Sequence, residues 1–124
     1  MRRIALITLL FAAPTGIAAD EVLPDALEAG WQGKNVCELL QEDEMMRVLR
    51  CTFPPGVGHE PHYHPAHFGY TLSDGGTMQV TDASGKREIT GFAGGTWLSE
   101  GVPRHHAINI GETTMQYLIV EQKY

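Results

Sequence analysis

Short apolar segments separated by turn residues, about ten residues apart, are the feature that most restricts the fold of this chain. They run from residue 35 to the end, and no segment between them has helical periodicity. This pattern predicts an all-β domain of antiparallel strands, arranged as a sandwich or a closed barrel. The candidate strands read NVCELL, MMRVLRCTF, GYTL, TMQVTD, REITGF, TWLSE, HHAINI and TMQYLIVEQ.

The first residues have the composition of a secretory signal peptide. Arg2 and Arg3 precede an apolar run, residues 4–13, and small residues precede Asp20. The run is about half the roughly 20 residues that a membrane-spanning helix needs, so we expect no membrane span. A buried N-terminal helix is the alternative. We expect residues 1–19 to be a signal peptide and the mature protein to be periplasmic or secreted.

The segment that follows, residues 20–34, contains Pro24, Gly30 and Gly33 and has little periodicity. We therefore expect it to form an arm laid over a single domain, residues 35–124. A chain of 124 residues with 43% hydrophobic content can bury one core but not two.

The charge balance of the chain is acidic, with a formal net charge of −6. Removal of Arg2 and Arg3 with the signal peptide would leave seven basic and fifteen acidic side chains, a charge of −8. Such a charge argues against nucleic acid and against anionic lipid surfaces as partners. We interpret the acidity as a contribution to solubility rather than as a binding face.

All six histidines of the chain fall into two clusters. In the first cluster His62 and His64 occupy alternate positions of a strand, so their side chains point to the same face. His59 lies three positions before His62 and is expected on the opposite face. In the second cluster alternation places His105 and His106 on opposite faces of a strand, although a shift of one residue in register would exchange their roles.

Two such clusters on different strands can supply nitrogen ligands to one metal ion. A histidine-rich surface loop is the alternative.

The first cluster resembles the first motif of the small single-domain cupins, which are antiparallel β jelly-roll barrels. In that family the motif runs Gly, five residues, His-x-His, a residue that is usually Glu, and a second Gly. The matching residues here are Gly56, His62, His64, His67 and Gly75.

The second motif of the family ends in His-x-x-x-Asn, which His105 and Asn109 match. The rest of that motif is degraded, because Gly95 replaces an aspartate and Glu100 stands where a proline is expected. The resemblance covers about residues 35–123.

The resemblance implies a metal site formed by His62, His64, His67 and His105, with His67 in the place of the family's glutamate. A set of neutral imidazoles suits Fe(II), Zn(II), Ni(II) or Cu(II), and it lacks the carboxylate that would favour Mn(II). We expect one divalent transition metal ion and leave its identity open. Glu60 shares parity with His62 and His64, so it is a second candidate for the missing carboxylate or for an acceptor that orients a ring nitrogen.

The two cysteines lie on opposite arms of the first predicted hairpin, which turns at residues 41–44. Folding this hairpin brings Cys37 close to Cys51, and an oxidising compartment would join them in a disulfide. Two buried reduced thiols are the alternative.

Three functions agree with these features: a dioxygenase-like enzyme or a metal-dependent lyase or isomerase, a non-catalytic module that binds a small molecule or a metal, and a jelly roll that has lost its activity. We favour a metal-binding cupin with a small-molecule ligand or substrate. Phe68, Tyr70 and Leu72 form an apolar row on the face opposite His67. We expect a homodimer to cover this row, unless the N-terminal arm does so.

Overall fold

The computed structural model of this protein describes residues 9–13 and 22–123. Within these ranges the chain forms strands, turns and bends but no helix, as the sequence pattern predicts. The strands are β1 Gly30–Trp31, β2 Lys34–Asn35, β3 Cys37–Glu42, β4 Met46–Phe53, β5 Gly58–His64, β6 His67–Thr71, β7 Thr77–Asp82, β8 Gly85–Thr90, β9 Thr96–Ser99, β10 Val102–Asn109 and β11 Met115–Gln122.

Two antiparallel sheets make up the domain. One has four strands in the order β5-β10-β7-β8, and the other has five strands in the order β3-β4-β11-β6-β9. β1 and β2 form a separate two-stranded ribbon. Consecutive strands alternate between the two larger sheets at β5 to β6 and at β6 to β7, which closes the sheets around a common interior. The predicted all-β jelly-roll architecture is confirmed.

The first hairpin brings the two cysteines together. β3 pairs with β4 so that Cys37 lies directly opposite Cys51, and the two are joined in a disulfide, as predicted. A cross-link over 14 residues of sequence stabilises a fold by about 3 kcal/mol on the chain-entropy estimate. The turn is shorter than predicted, because β3 continues through Glu42 and the Asp43 carboxylate accepts the backbone N–H groups that follow it.

The glycine-rich segment after β6 changes sheets and does not close a hairpin. Gly75 and Gly76 both have positive φ, 95° and 76°, a backbone conformation that residues with a Cβ rarely adopt. A Cβ on Gly76 would also lie 2.7 Å from that of Met115. The next turn is a true hairpin, in which Asp82 pairs with Gly85 and accepts the backbone N–H of Ser84.

The apolar core lies between the two sheets. Its largest fully buried side chains are Leu49 and Phe53 of β4, and Met78 of β7 and Ile119 of β11 pack with them. Asn109 stabilises one end of the core. Its side-chain amide donates to the carbonyl groups of Phe53 and Thr113, and its amide oxygen accepts two backbone N–H groups.

The described part of the N-terminal arm packs against β5. Asp25 forms an isolated bridge with Tyr63, Ala26 is fully buried, and the Trp31 ring lies where a Cβ on Gly58 would be. The described arm therefore leaves Phe68, Tyr70 and Leu72 on the other sheet uncovered, and these side chains are 37–40% exposed. The homodimer that would cover them stays a prediction.

The predicted signal peptide lies mostly outside the described residues. Among the described residues, none forms a helix with the length and hydropathy needed to cross a membrane.

Candidate metal centre

Two neighbouring strands bring the histidine clusters together. β5 pairs with β10 so that His62 lies directly opposite His105. The Nε2 atom of His62 is 3.0 Å from that of His64 and 2.9 Å from that of His105. These three residues form a group whose ligand atoms all lie within 4.8 Å of one another, so they can hold a metal ion.

Bulges in the β5–β10 pairing determine which histidines face the interior. From the His62–His105 pair to the His59–Ala107 pair, β5 advances three residues while β10 advances two. The extra residue in β5 breaks the strict alternation of faces. The prediction that His59 lies on the opposite face is therefore wrong: its side chain is buried and its ring stacks on that of His62, with centroids 3.7 Å apart.

The same bulge turns Glu60 outward. Its side chain is exposed, and its carboxylate accepts the backbone N–H of Gln32 at 3.3 Å. The carboxylate therefore neither faces the histidine group nor orients a ring. The backbone carbonyl of Glu60 does orient a ring, because it accepts a hydrogen bond from Nδ1 of His62 at 2.7 Å.

A buried carboxylate that the sequence analysis missed orients the second ring. Nδ1 of His64 donates to Glu121 at 2.7 Å, and Glu121 is fully buried. Arg47 donates to the other oxygen of Glu121 at 2.7 Å and contacts Asp25 at 3.0 Å. Burial raises the pKa of Glu121, but the hydrogen bonds from His64 and Arg47 and the positive charge of Arg47 outweigh it and hold the pKa below its ordinary value.

The signal for Glu121 was present in the last strand. Met115 and Ile119 of that strand are buried core residues, and strict alternation from them places residue 121 on the same inward face. An acidic residue at an inward position is unusual unless it is paired, so it marks a buried polar network.

These partners fix the tautomers of two rings. A carbonyl and a carboxylate can only accept, so the proton of each neutral ring, His62 and His64, is on Nδ1 and the Nε2 lone pair is bare. When both rings are neutral, the 3.0 Å contact between the two Nε2 atoms is an approach of two lone pairs. A cation between them removes this repulsion. Neutral imidazole nitrogens that lie this close together are a donor set that fits a transition metal ion.

His105 completes the group from the opposite strand. It is partly buried, whereas His106 is exposed, so no exchange of their positions occurs. A second bulge, in which β10 advances three residues from Val102 while β5 advances two, brings His105 to the inner face.

His67 lies beside the group but outside it. Its ring centroid is 4.9 Å from that of His64, and both of its nitrogens have partners. Nδ1 donates to the carbonyl of Pro65 at 2.9 Å, and Nε2 accepts the indole N–H of Trp97 at 3.3 Å. To bind a metal, His67 would have to give up the contact with Trp97, so its role as a ligand stays a prediction.

Burial favours the neutral form of His59, His62 and His105. Desolvation, followed by repulsion among neighbouring imidazoles, lowers the pKa of His62 to about 2 and that of His105 to about 3. The pKa of His59 is lowered to about 4, again mainly by burial, and its Nε2 donates to the carbonyl of Ala26 at 3.1 Å. Neutral imidazoles are the form that binds transition metals.

A cavity of about 460 Å³ opens from the histidines between the two sheets. Its walls include Met78 and Val80 from one sheet and Trp97, Met115 and Tyr117 from the other. A space of this size and composition fits a small organic molecule.

No protein-family model matches this chain, and no curated protein sequence matches it significantly. Many solved structures share its fold. A cupin domain from Bordetella pertussis Tohama I is 19% identical with a TM-score of 0.66, over 72% of this chain and 93% of that one. A predicted oxalate decarboxylase from Thermotoga maritima is 18% identical with a TM-score of 0.53, over 82% of this chain and 99% of that one.

The polyketide cyclase RemF from Streptomyces resistomycificus is 17% identical with a TM-score of 0.55, over 71% of this chain and 64% of that one. At these identities the comparisons establish architecture. The class is an antiparallel β jelly roll whose histidine-lined cavity can hold a metal ion. More particularly, the chain has the cupin fold, as the sequence resemblance implied.

The depressed pKa values predict that the metal-free protein loses stability in mild acid. The unfolded chain protonates His59, His62 and His105 near pH 6.5, whereas the folded chain resists protonation until about pH 4 or below. Their contribution is therefore fully present above pH 6.5 and declines below it, by about 1.4 kcal/mol per pH unit for each residue. Denaturant unfolding of chelator-treated protein between pH 7.5 and 4.5 measures this slope, and a constant free energy of unfolding over that range would contradict it.

Replacing Glu121 by Gln should weaken metal binding by about 10- to 100-fold, because the amide keeps the size of the carboxylate but loses the charge that orients His64 and strengthens it as a ligand. The matched control is Glu60→Gln, which removes an exposed carboxylate from β5. Competition with a chromophoric chelator measures both affinities. Equal affinities for the two variants would show that Glu121 does not support the site.

Proposed function

We propose that this protein binds one divalent transition metal ion per chain through Nε2 of His62, His64 and His105. The observation that supports this most strongly is the convergence of the Nε2 atoms of His62 and His64, each ring held in place by an acceptor at its Nδ1. When both rings are neutral, this convergence brings two lone pairs together, and a metal ion between them would remove the repulsion. His67 is proposed as a fourth ligand only if its contact with Trp97 opens.

Neutral nitrogen ligands restrict the choice of metal. Three or four imidazoles suit Fe(II), Zn(II), Ni(II) or Cu(II), whereas Mn(II) prefers oxygen ligands. Glu121, whose carboxylate contacts the proposed ligand His64, has one oxygen on His64 and the other on Arg47. We propose that it acts through His64 and does not itself bind the metal.

We further propose that the site is that of a small-molecule metalloenzyme, with an oxygenase-like or a lyase or isomerase reaction. Three protein ligands leave coordination positions open, and a metal there would supply Lewis-acid or oxygen chemistry to a bound molecule. The adjoining cavity of about 460 Å³ would bind that molecule and exclude bulk water. Two proteins with a similar fold carry enzymatic names, a polyketide cyclase and a predicted oxalate decarboxylase.

Alanine at His62, His64 or His105 should each abolish most metal binding, because each removes one of three ligands. His106→Ala, one residue away on the same strand but exposed, is the matched control and should bind like the wild type. If His67 of the wild type stays bonded to Trp97 and does not bind the metal, His67→Ala should retain metal binding; loss of binding would make His67 a ligand. Elemental analysis after chelation and reloading measures the stoichiometry, and wild-type protein that takes up no divalent metal would refute the proposal.

Catalysis is tested by oxygen uptake of Fe(II)-loaded protein with a panel of small phenols, thiols and keto acids. We expect uptake that depends on one class of compound and is lost in His62→Ala treated in the same way. Saturable binding of a compound without uptake or conversion would instead make the protein a non-catalytic binding module.

We also propose that the protein is exported, with residues 1–19 removed as a signal peptide and residues 35–124 forming the cupin domain. The buried Cys37–Cys51 disulfide supports this, because such bonds persist in oxidising compartments. Protein from its native host should begin near Ala19 or Asp20 and contain no alkylatable thiol. Intact Met1 and two free thiols, measured by mass spectrometry of the cytosolic fraction, would contradict export.

A further inference from the structure

The charge of the cavity wall differs from that of the whole chain. The chain has fifteen acidic and nine basic side chains, yet none of the described residues that line the cavity is acidic. Among the described residues that line the cavity, Arg87 is the only basic residue apart from the histidines. With a divalent metal on the histidines, the lining would carry the positive charges of the metal and of Arg87, the latter partly offset by the ion pair with Asp82.

Strand register explains why Arg87 faces the cavity. Arg87 of β8 lies opposite Val80 of β7, which lies opposite Ala107 of β10. Directly paired residues point to the same face of a sheet, and both Val80 and Ala107 are buried. Lys86 pairs with Thr81 instead and therefore belongs to the outer face.

Asp82 holds the Arg87 side chain in position but contacts only one of its guanidinium nitrogens. One guanidinium nitrogen contacts the Asp82 carboxylate at 2.6 Å, and the Arg87 side chain remains 48% exposed. A guanidinium carries five N–H donors in a rigid fork, so the donors that Asp82 does not take can bind a second carboxylate. Asp82 is itself fixed by the backbone N–H and the hydroxyl of Ser84.

The wall next to Arg87 is apolar. Ile89 on the same strand and Phe92 just after it line the cavity with 48% and 66% of their surfaces exposed, and Met78 and Met115 lie deeper. These side chains offer a hydrophobic surface to a ligand that enters beside Arg87. β8 is two strands away from β10 and its His105, a distance of roughly 10 Å between backbones. One small molecule can therefore contact both ends of the cavity.

We infer that the ligand of this cavity is an apolar carboxylate, an aromatic or aliphatic acid whose carboxylate binds Arg87 and whose body packs on Ile89, Phe92 and Met78 toward the metal. The inference rests on the proposed function, because the metal supplies the other end of the site. Neutral amides and positively charged ammonium compounds of similar shape lack the negative charge that Arg87 and the metal favour. They are expected to bind more weakly or not at all.

Calorimetric titration of zinc-loaded protein with three ligands of one shape, 2-naphthoate, 2-naphthamide and 2-naphthylmethylammonium, tests this. We expect the carboxylate to bind and the amide to bind at least about 10-fold more weakly. Arg87→Met should weaken binding of the carboxylate about 10- to 100-fold, and Arg87→Lys should restore part of the affinity. The matched control is Lys86→Met, which removes the same charge from the outer face and should bind the carboxylate like the wild type.

The outcomes separate the two proposals. Failure of the wild type to bind zinc overturns the proposed function. Normal zinc binding in all variants, with equal affinity of the carboxylate for Arg87→Met and Lys86→Met, overturns the role of Arg87 and leaves the metal site intact. Equal affinity of the wild type for carboxylate and amide overturns the ligand class.

Discussion

The hydrogen bond from His64 to Glu121 is the interaction on which the candidate centre depends. It places a charged carboxylate in the interior, where Arg47 and His64 together satisfy both of its oxygens. It also fixes the His64 ring so that Nε2 meets that of His62. Removing Glu121 would leave Nδ1 of His64 without its acceptor and Arg47 with only Asp25 as an ion-pair partner, which costs more than an exposed ion pair contributes. The network extends through Arg47 to Asp25, so the N-terminal arm is connected to the histidines.

Irregular strand pairing gives this centre its shape. A regular β5–β10 ladder would leave His59 on the outside and would direct Glu60 inward with His62 and His64. The bulge reverses both positions. The His59 ring therefore stacks on His62, and the exposed Glu60 carboxylate accepts the backbone N–H of Gln32. Two carboxylates lie beside the histidines, Glu121 behind His64 and Asp82 opposite His105, and each is paired with an arginine. A metal ion bound only by neutral imidazoles would retain its positive charge, and this charge would attract an anionic ligand in the cavity.

The sequence was sufficient for the features that follow from alternation and turn chemistry. The all-β antiparallel fold, the Cys37–Cys51 disulfide and the shared face of His62 and His64 were predicted in this way, whereas the jelly-roll arrangement was implied by the resemblance to the cupins. The position of His59 was not, because a bulge is a tertiary feature with no clear local signal. Glu121 could have been identified from the parity of the last strand. Arg87 could not have been preferred to the other basic residues, since its place in the cavity wall depends on the pairing of three strands.

The central claim, that the Nε2 lone pairs of His62 and His64 converge with that of His105 on a metal, is tested most directly by long-range ¹H–¹⁵N NMR of the imidazoles during a zinc titration. Before zinc is added, the account predicts Nδ1-protonated tautomers for His62 and His64. One equivalent of zinc should then shift the Nε2 resonances of His62, His64 and His105 and leave the Nδ1 protons of His62 and His64 in place. Nε2-protonated tautomers in the metal-free protein, or zinc shifts confined to other histidines, would contradict the account.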